Sequence, residues 1–206
     1  MVVPGYWNTA RRSLARNDPV MGGIIRAHPR IALQSRGDPF QTLARSIVGQ
    51  QISVKAAESV WRRFVAGVDA IQPEAVLKVK VPALQACGLS LRKAEYLRDL
   101  AGHFAEGSID PRHWNELEDE AIIEQLIGVR GIGRWTAEMF LIFGLLRPNV
   151  LPLDDLGLQR AVGLHYFSGR RVAPRTISRL AAKWEPWRSV ATWYLWRSLD
   201  PVPVEY

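Results

Sequence analysis

An all-α fold is predicted by three features of the sequence. Apolar residues recur at helical spacing in almost every long segment, and no alternating strand pattern persists. Glycine, proline and serine break these segments at short intervals, as they do between packed helices. The chain has 206 residues, so it can bury roughly 70% of the surface of its unfolded form. These features predict one domain or two closely packed lobes.

The first half of the chain is predicted to form six helices. They cover residues 20–27, 40–49, 54–65, 75–79, 82–87 and 91–105. The second of them carries a single apolar stripe, formed by Phe40, Leu43, Ala44 and Ile47. Ser53 and Ser90 precede two of the others, where a serine oxygen can accept a hydrogen bond from a free helix N–H.

The second half is predicted to form five more helices. They cover residues 118–127, 134–146, 155–165, 177–184 and 187–198. Pro148 and Pro152 force an irregular loop between the second and the third of these. Pro174 and Pro186 open the last two, because proline is well tolerated in the first turn of a helix.

The most specific motif lies at residues 126–137. Gly128 ends one helix, since glycine accepts the left-handed conformation that closes it. The Gly-Ile-Gly turn at 131–133 then leads into the next helix and leaves its backbone N–H groups unshielded. These groups lie at a helix N-terminus, where the partial positive charge favours an anion. Arg130 and Arg134 flank the turn. A Gly-x-Gly turn alone would favour an ordinary corner between two helices, and the full motif is what favours an anion site.

The full run Gly-Val-Arg-Gly-Ile-Gly-Arg-Trp-Thr-Ala resembles the helix-hairpin-helix of DNA repair glycosylases. Within that superfamily the chain resembles the alkylpurine glycosylases of the 3-methyladenine DNA glycosylase II type, in a compact form without their N-terminal β domain. The resemblance covers roughly residues 18–200. It implies a single helix-hairpin-helix glycosylase domain over 1–206, with two packed helical lobes and the active-site cleft between them. The expected lobes are a central one of about 40–145 and a terminal one of about 1–39 plus 146–206.

The resemblance also implies how the hairpin binds its ligands. In this superfamily the hairpin holds a DNA phosphate, and the matching residues here are Gly131, Gly133, Arg134, Thr136 and Arg130. Hairpin carbonyls often bind a monovalent cation, Na⁺ or K⁺, and by position these would be the carbonyls of Ile127, Val129 and Ile132. No cofactor is required. An iron–sulfur cluster held by four cysteines is excluded within this chain, since Cys87 is its one cysteine.

Residues 151–160, Leu-Pro-Leu-Asp-Asp-Leu-Gly-Leu-Gln-Arg, resemble the catalytic segment of the same superfamily. In that segment an Asp stands five residues before an Arg, so Arg160 selects Asp155 as the catalytic residue. Asp154 is then the better candidate for capping or support. A carboxylate close to C1′ of the sugar stabilises the positive charge that develops as an N-glycosidic bond breaks. It can also orient or deprotonate the incoming water.

Three residues match positions that line the pocket for the flipped base in these relatives: Trp135, Trp196 and Met139. An aromatic face attracts a cationic alkylated base. Met139 stands where a relative has tyrosine, so the pocket should be less aromatic. Trp135 stands where relatives that cut the strand have a nucleophilic lysine, and Trp cannot form a Schiff base. A monofunctional enzyme is therefore expected.

The turn at residues 47–53 lies between two predicted helices. In the resembling superfamily this turn enters the minor groove and fills the gap that the flipped base leaves. By position Gln51 is the plug and Gln50 is its neighbour.

Composition limits the partners and the compartment. The formal net charge of +7 favours a polyanionic partner. The N-terminus lacks the apolar core of a signal peptide, and the longest apolar run, 139–146, is too short to span a bilayer. The four histidines have no ligand spacing, so no zinc site is predicted. We expect a cytoplasmic monomer, associated with the nucleoid if bacterial, and no membrane partner.

The expected function is hydrolysis of the N-glycosidic bond of alkylated purines, 3-methyladenine and 7-methylguanine, in double-stranded DNA. One alternative is a glycosylase for oxidised or mismatched bases, which Trp135 and the aromatic pocket argue against. A second is a catalytically silent DNA-binding module, which Asp155 with its spacing to Arg160 argues against. A structural helical bundle would explain neither the hairpin nor the charge.

Overall fold

A computed structural model describes residues 3–29, 32–35 and 37–199, and within these ranges the chain forms helices and no β-strand. The α-helices are α1 Trp7–Asn17, α2 Pro19–Ala27, α3 Pro39–Gly49, α4 Val54–Gly67, α5 Pro73–Lys78, α6 Val81–Ala86, α7 Leu91–Ala105, α8 Asp119–Ile127, α9 Arg134–Phe143, α10 Leu156–Tyr166, α11 Pro174–Ala181 and α12 Arg188–Leu199. Two 3₁₀ helices cover Pro111–Glu116 and Ala182–Trp184. The all-α prediction is confirmed.

The structure differs from the predicted elements at two places that matter here. Helix α1 was not predicted, although its apolar residues Trp7, Ala10 and Leu14 have helical spacing and are buried. Helix α9 ends at Phe143 rather than at 146. Leu146 has φ +55°, and the N–H of Arg147 donates to the carbonyl of Leu141 at 2.9 Å. Helix α9 therefore ends before Pro148, and the residue preceding a proline disfavours the helical conformation.

The chain divides into two compact units. Within the described residues, unit 1 comprises 3–29, 32–35 and 141–199, and unit 2 comprises 37–140. Unit 2 thus contains helices α3 to α8 and the larger part of α9, whose last three residues belong to unit 1.

Unit 2 is built around α7, which packs against α3, α5 and α6, while α4 packs on α3. The side chains at these contacts are fully buried, among them Leu43, Ile47, Leu97 and Leu100. Each such leucine or isoleucine contributes about 2 kcal/mol by leaving water. Helix α7 is therefore the central helix of unit 2, and α3, α5 and α6 are packed against it.

Unit 1 consists of α1, α2, α10, α11 and α12, with contacts from α12 to α10, α2 and α1. Asp18 joins several of these elements. It caps α2 by accepting from the N–H groups of Val20 and Met21, and its Oδ2 accepts from Tyr166 at 2.6 Å and from Trp184 at 2.9 Å. Burial alone would raise the pKa of Asp18, but these side-chain hydrogen bonds outweigh burial and hold its pKa below the ordinary value.

No helix in the described parts of the chain has both the length and the apolar character that crossing a bilayer requires.

Candidate functional site

The hairpin turn of unit 2 depends on one glycine for its shape. Helix α8 ends at Ile127, α9 begins at Arg134, and Gly131 between them has φ +87°. A side chain at position 131 would be strained by this φ, and its Cβ would fall into the ring of Tyr96. The turn therefore needs glycine at 131 for reasons internal to the protein.

Gly133 is different, because nothing in the described residues requires it to be small. A Cβ built at this position meets no atom within 4 Å, and its φ is not in the left-handed region. The residue is exposed and directly precedes the first turn of α9. The first N–H groups of an α-helix have no partner within the helix, which is the arrangement that an anion requires.

The two predicted phosphate-binding arginines are paired with carboxylates in this structure. Arg134 donates from Nη1 and Nη2 to the two carboxylate oxygens of Glu120, both at 2.6 Å, and its Nε lies 3.3 Å from Glu138. The hydrogen bonds to Glu120 raise the pKa of Arg134, and in turn the pKa of Glu120 is lowered. Arg130 lies 3.2 Å from Glu95. A phosphate at either guanidinium would compete with these partners, which sequence reasoning missed because they lie 14 and 35 residues away.

The turn after α3 is held by a lysine of α7 and by a hydrogen bond that its own Gln50 donates to the hairpin. Gln51 is exposed and has φ +58°, a backbone conformation that is uncommon for a residue other than glycine. Lys93 of α7 donates from Nζ to the carbonyl oxygens of Val48 at 2.8 Å and of Gln50 at 2.7 Å. Gln50 Nε2 donates to the carbonyl of Gly131 at 2.9 Å. We call residues 50–53 the wedge turn.

Partial burial lowers the pKa of Lys93, as expected for an ammonium group that is drawn out of water. Sequence reasoning did not single out Lys93, since its position in the third residue of a capped helix carries no sign of its distant partners.

The remaining predicted residues of unit 2 lie on α9. Trp135 is exposed over 37% of its surface, while Thr136 and Met139 are almost entirely buried. The phosphate role of Thr136 and the pocket roles of Trp135 and Met139 stay predictions.

Asp155, in unit 1, is the N-cap of α10. Its Oδ1 accepts from the N–H of Leu158 at 2.6 Å and from the indole Nε1 of Trp196 at 2.8 Å. The residue is half-buried, whereas Asp154 is exposed. The expectation that Asp154 is the capping residue is wrong: Asp155 has the extended backbone of an N-cap and its oxygen receives the helix N–H.

Trp196 meets Asp155 through its N–H group, a role the sequence interpretation did not include. The indole ring stacks on Phe143, with the ring centroids 5.6 Å apart and 15° between the planes. Gly157 makes the approach possible, because a Cβ there would lie 3.1 Å from both Asp155 Oδ1 and Trp196 Cδ1. The structure therefore brings Asp155 and Trp196 together, and adds Phe143 and Gly157 to the set.

The hairpin carbonyls predicted to bind a cation can be judged by their chemistry. Ile127 is the last residue of α8, and the carbonyl of Val129 accepts from the N–H of Ile132 at 3.1 Å while keeping a second lone pair. Neutral carbonyl oxygens suit a hard cation such as Na⁺ or K⁺. Within the described residues no cluster of three or more His, Cys, Asp or Glu side chains could hold a metal ion.

Comparison with known proteins gives consistent results. The family described as HhH-GPD superfamily base excision DNA repair protein matches residues 44–186. DNA-3-methyladenine glycosylase 1 of Schizosaccharomyces pombe (strain 972 / ATCC 24843) is 35% identical over 170 residues, which cover 78% of this chain and 72% of that protein.

Two solved structures resemble the chain closely. DNA-3-methyladenine glycosidase from Bacillus halodurans has a TM-score of 0.89 and 33% identity, covering 97% of this chain and 93% of that one. The S. pombe 3-methyladenine DNA glycosylase Mag1, solved in complex with abasic DNA, has a TM-score of 0.79 and 28% identity, covering 95% of this chain and 100% of that one. The chain spans 66%, 72% and 65% of the length of three curated relatives that it matches.

Proposed function

The chain belongs to the HhH-GPD superfamily of base excision DNA repair proteins, and from that premise we propose that it is a DNA glycosylase for alkylated purines. In this proposal it hydrolyses the N-glycosidic bond of 3-methyladenine and 7-methylguanine in double-stranded DNA and leaves the strand uncut. The observation that carries the proposal is the half-buried carboxylate of Asp155, which the indole N–H of Trp196 holds at the start of α10.

Asp155 supplies the charge that this reaction requires. Breaking the bond between base and deoxyribose builds positive charge on the sugar, and a fixed carboxylate beside C1′ stabilises it. The hydrogen bonds from Leu158 and Trp196 fix the direction of the carboxylate before substrate arrives. Little reorganisation is then needed in the transition state, and the same group can orient the attacking water.

Alkylated purines are the substrates that fit a single carboxylate and aromatic side chains best. A methylated purine with a positive charge is already a good leaving group, so one carboxylate without a second acid is sufficient. Aromatic side chains such as Trp196 and the exposed Trp135 favour a cationic base through cation–π attraction. The names of the S. pombe and B. halodurans relatives support the same substrate class.

A monofunctional reaction follows from Trp135, the residue at the position where strand-cutting relatives have lysine. An indole cannot attack C1′ to form a Schiff base, and without that imine the abasic site stays intact.

DNA binding in this proposal rests on the hairpin and the wedge turn. The amides at the start of α9 hold a phosphate, and Gln51 enters the minor groove. When bound, a Na⁺ or K⁺ ion on the carbonyls of Ile127, Val129 and Ile132 would add positive charge beside that phosphate. A cytoplasmic monomer acting on genomic DNA, associated with the nucleoid if the source is bacterial, is part of the same proposal.

The test is base release from duplex DNA treated with a methylating agent, with the released bases separated by chromatography. Release of 3-methyladenine and 7-methylguanine by the wild type, with strand breaks only after alkali, is the expected result. Borohydride should trap no protein–DNA adduct. Release of oxidised bases alone, or a trapped adduct, would contradict the proposal.

A further inference from the structure

The wedge turn contains a residue with an unfavourable backbone conformation, Gln51, at an exposed position. Gln51 has φ +58°, and all residues from Gln51 to Ala56 are exposed. A left-handed conformation costs a residue with a Cβ free energy, and it persists where neighbouring groups hold the backbone on both sides. Because Gln51 itself is exposed, its conformation must be fixed from the peptide groups that flank it.

Lys93 fixes the peptide group before Gln51. Its ammonium group donates to the carbonyl of Gln50, at 2.7 Å, and to that of Val48, at 2.8 Å. Both carbonyls belong to the C-terminal end of α3, where oxygens lack partners within the helix and the dipole favours a cation. The carbonyl of Gln50 lies in the plane of the Gln50–Gln51 peptide, so holding this oxygen sets the direction in which the chain enters Gln51.

Gln50 connects the same turn to the hairpin. Its side-chain Nε2 donates to the carbonyl of Gly131 at 2.9 Å, across 81 residues of sequence. Gly131 is the residue whose left-handed φ shapes the hairpin, and it packs against Tyr96 of α7. On the far side of the wedge turn, Ser53 caps α4 by accepting from the N–H of Ala56. The wedge turn, the hairpin and α7 are therefore linked by direct hydrogen bonds and packing within unit 2.

We propose that Lys93 and Gln50 are positioning residues that hold Gln51 ready for the minor groove, in register with the phosphate bound at the hairpin. This inference rests on the proposed function. A preformed wedge loses less freedom on binding and so stabilises the state in which the base is flipped. Without Lys93 the turn relaxes, and a smaller fraction of bound lesions is flipped. The chemistry at Asp155 is untouched.

The experiment compares single-turnover excision of 7-methylguanine opposite cytosine with excision of 7-methylguanine opposite an abasic-site analogue. Flipping is harder in the first duplex, because a base pair must be broken. Lys93→Met removes the donors and keeps the length of the side chain. We expect excision from the paired duplex to fall about tenfold, and excision from the unpaired duplex to change less than twofold. A 2-aminopurine beside the lesion should report less unstacking in the paired duplex.

Lys55→Met is the matched control, since it removes the same charge from the exposed start of α4. Its effect should be equal on the two duplexes. Gln50→Leu is a second, milder variant that removes only the bond to Gly131, and it should lower excision from the paired duplex about threefold. It provides the test if thermal unfolding shows that Lys93→Met is not folded.

An equal fall on both duplexes, or no fall on either, would overturn the positioning role. A wild type that releases 7-methylguanine from neither duplex would contradict the proposed function itself. If the wild type is active and the variants excise 7-methylguanine from both duplexes at the wild-type rate, only the inference about Lys93 and Gln50 is contradicted.

Discussion

The hairpin of unit 2 and the carboxylate region of unit 1 present their functional groups in different ways. In the proposed function the hairpin acts through its backbone amides, and a small residue such as Gly133 leaves space for the phosphate. At α10 the proposed functional group is the side chain of Asp155, and its neighbours contribute the hydrogen bonds that they donate to it. The first region should thus be sensitive to added atoms and the second to removed charges and donors.

The largest expected effect is that of Asp155→Asn, which removes the charge and keeps the shape. Asparagine can still cap α10 and still accept from Trp196 through its carbonyl oxygen. We expect single-turnover excision to fall by at least about two orders of magnitude, the scale of losing one preorganised electrostatic contact. Thermal unfolding and affinity for undamaged duplex should stay near wild type. Asp154→Asn, at the exposed neighbour, serves as the control. A larger loss in Asp154→Asn would refute the assignment.

The second prediction concerns Trp196, and its variant distinguishes the contribution of the aromatic face from that of the N–H group. Trp196→Phe retains a ring against Phe143 and loses the donor to Asp155. A hydrogen bond to a charged group contributes about 2 kcal/mol, so excision should fall roughly thirtyfold. Phe143→Leu, which keeps the indole and removes its stacking partner, should cause a smaller loss. Unchanged excision in Trp196→Phe would mean that Trp196 acts only through its aromatic face.

Much of this molecule could be predicted from its sequence, because the signals are local. Helical spacing of apolar residues predicts the all-α fold. The hairpin at 128–133 is predicted because glycine, helix end and helix start lie within a few residues of one another. The expectation that Gly128 is left-handed is wrong, because Gly128 has a right-handed backbone and Gly131 is the left-handed glycine. The resemblance to the superfamily selects Asp155 from its spacing to Arg160, and its catalytic role stays a prediction. That spacing does not tell which of two adjacent aspartates caps the helix.

What could not be predicted depends on contacts between distant segments. The partner of Trp196 is 41 residues away, that of Gln50 is 81 residues away, and those of Lys93 are more than 40 away. A side chain of any of these types would look the same in sequence if it were merely solvated. Helix α1 was missed although its signal is local, since its buried residues Trp7, Ala10 and Leu14 have helical spacing.

Substitutions at the two glycines of the hairpin, Gly131 and Gly133, should affect different properties, because a Cβ has space at 133 and none at 131. Gly133→Ala meets no atom of the described residues, so the free energy of unfolding should fall by no more than about 1 kcal/mol, the cost of alanine at a helix start. Affinity for every duplex, damaged or not, should fall roughly fivefold, since phosphate contacts carry no sequence information. Gly131→Ala should instead lower the free energy of unfolding by about 2 kcal/mol, through its φ and the ring of Tyr96. Normal DNA affinity in a folded Gly133→Ala protein would contradict the phosphate site.

The smallest expected effect concerns Glu120, whose carboxylate binds the guanidinium of Arg134. Glu120 binds both terminal nitrogens of this guanidinium, and the pair is about half exposed, so it adds little to stability. If a phosphate takes the place of Glu120, the wild type must exchange one partner for another. Glu120→Gln removes the competitor and keeps the size of the side chain. Affinity for duplex DNA should rise about threefold, and the slope of log affinity against log salt should steepen by up to about one.

The control for this prediction is Glu185→Gln, which removes the same charge from the exposed ion pair with Arg188 in unit 1. Subtracting its effect leaves the part that is specific to the hairpin, because both variants raise the net charge equally. Titrations at several salt concentrations, followed by fluorescence anisotropy, measure both quantities. A steeper slope in Glu120→Gln alone would mean that Arg134 leaves its carboxylate for the DNA backbone. Equal slopes in the two variants would mean that Arg134 keeps its ion pairs, and that the hairpin binds phosphate through its amides without this guanidinium.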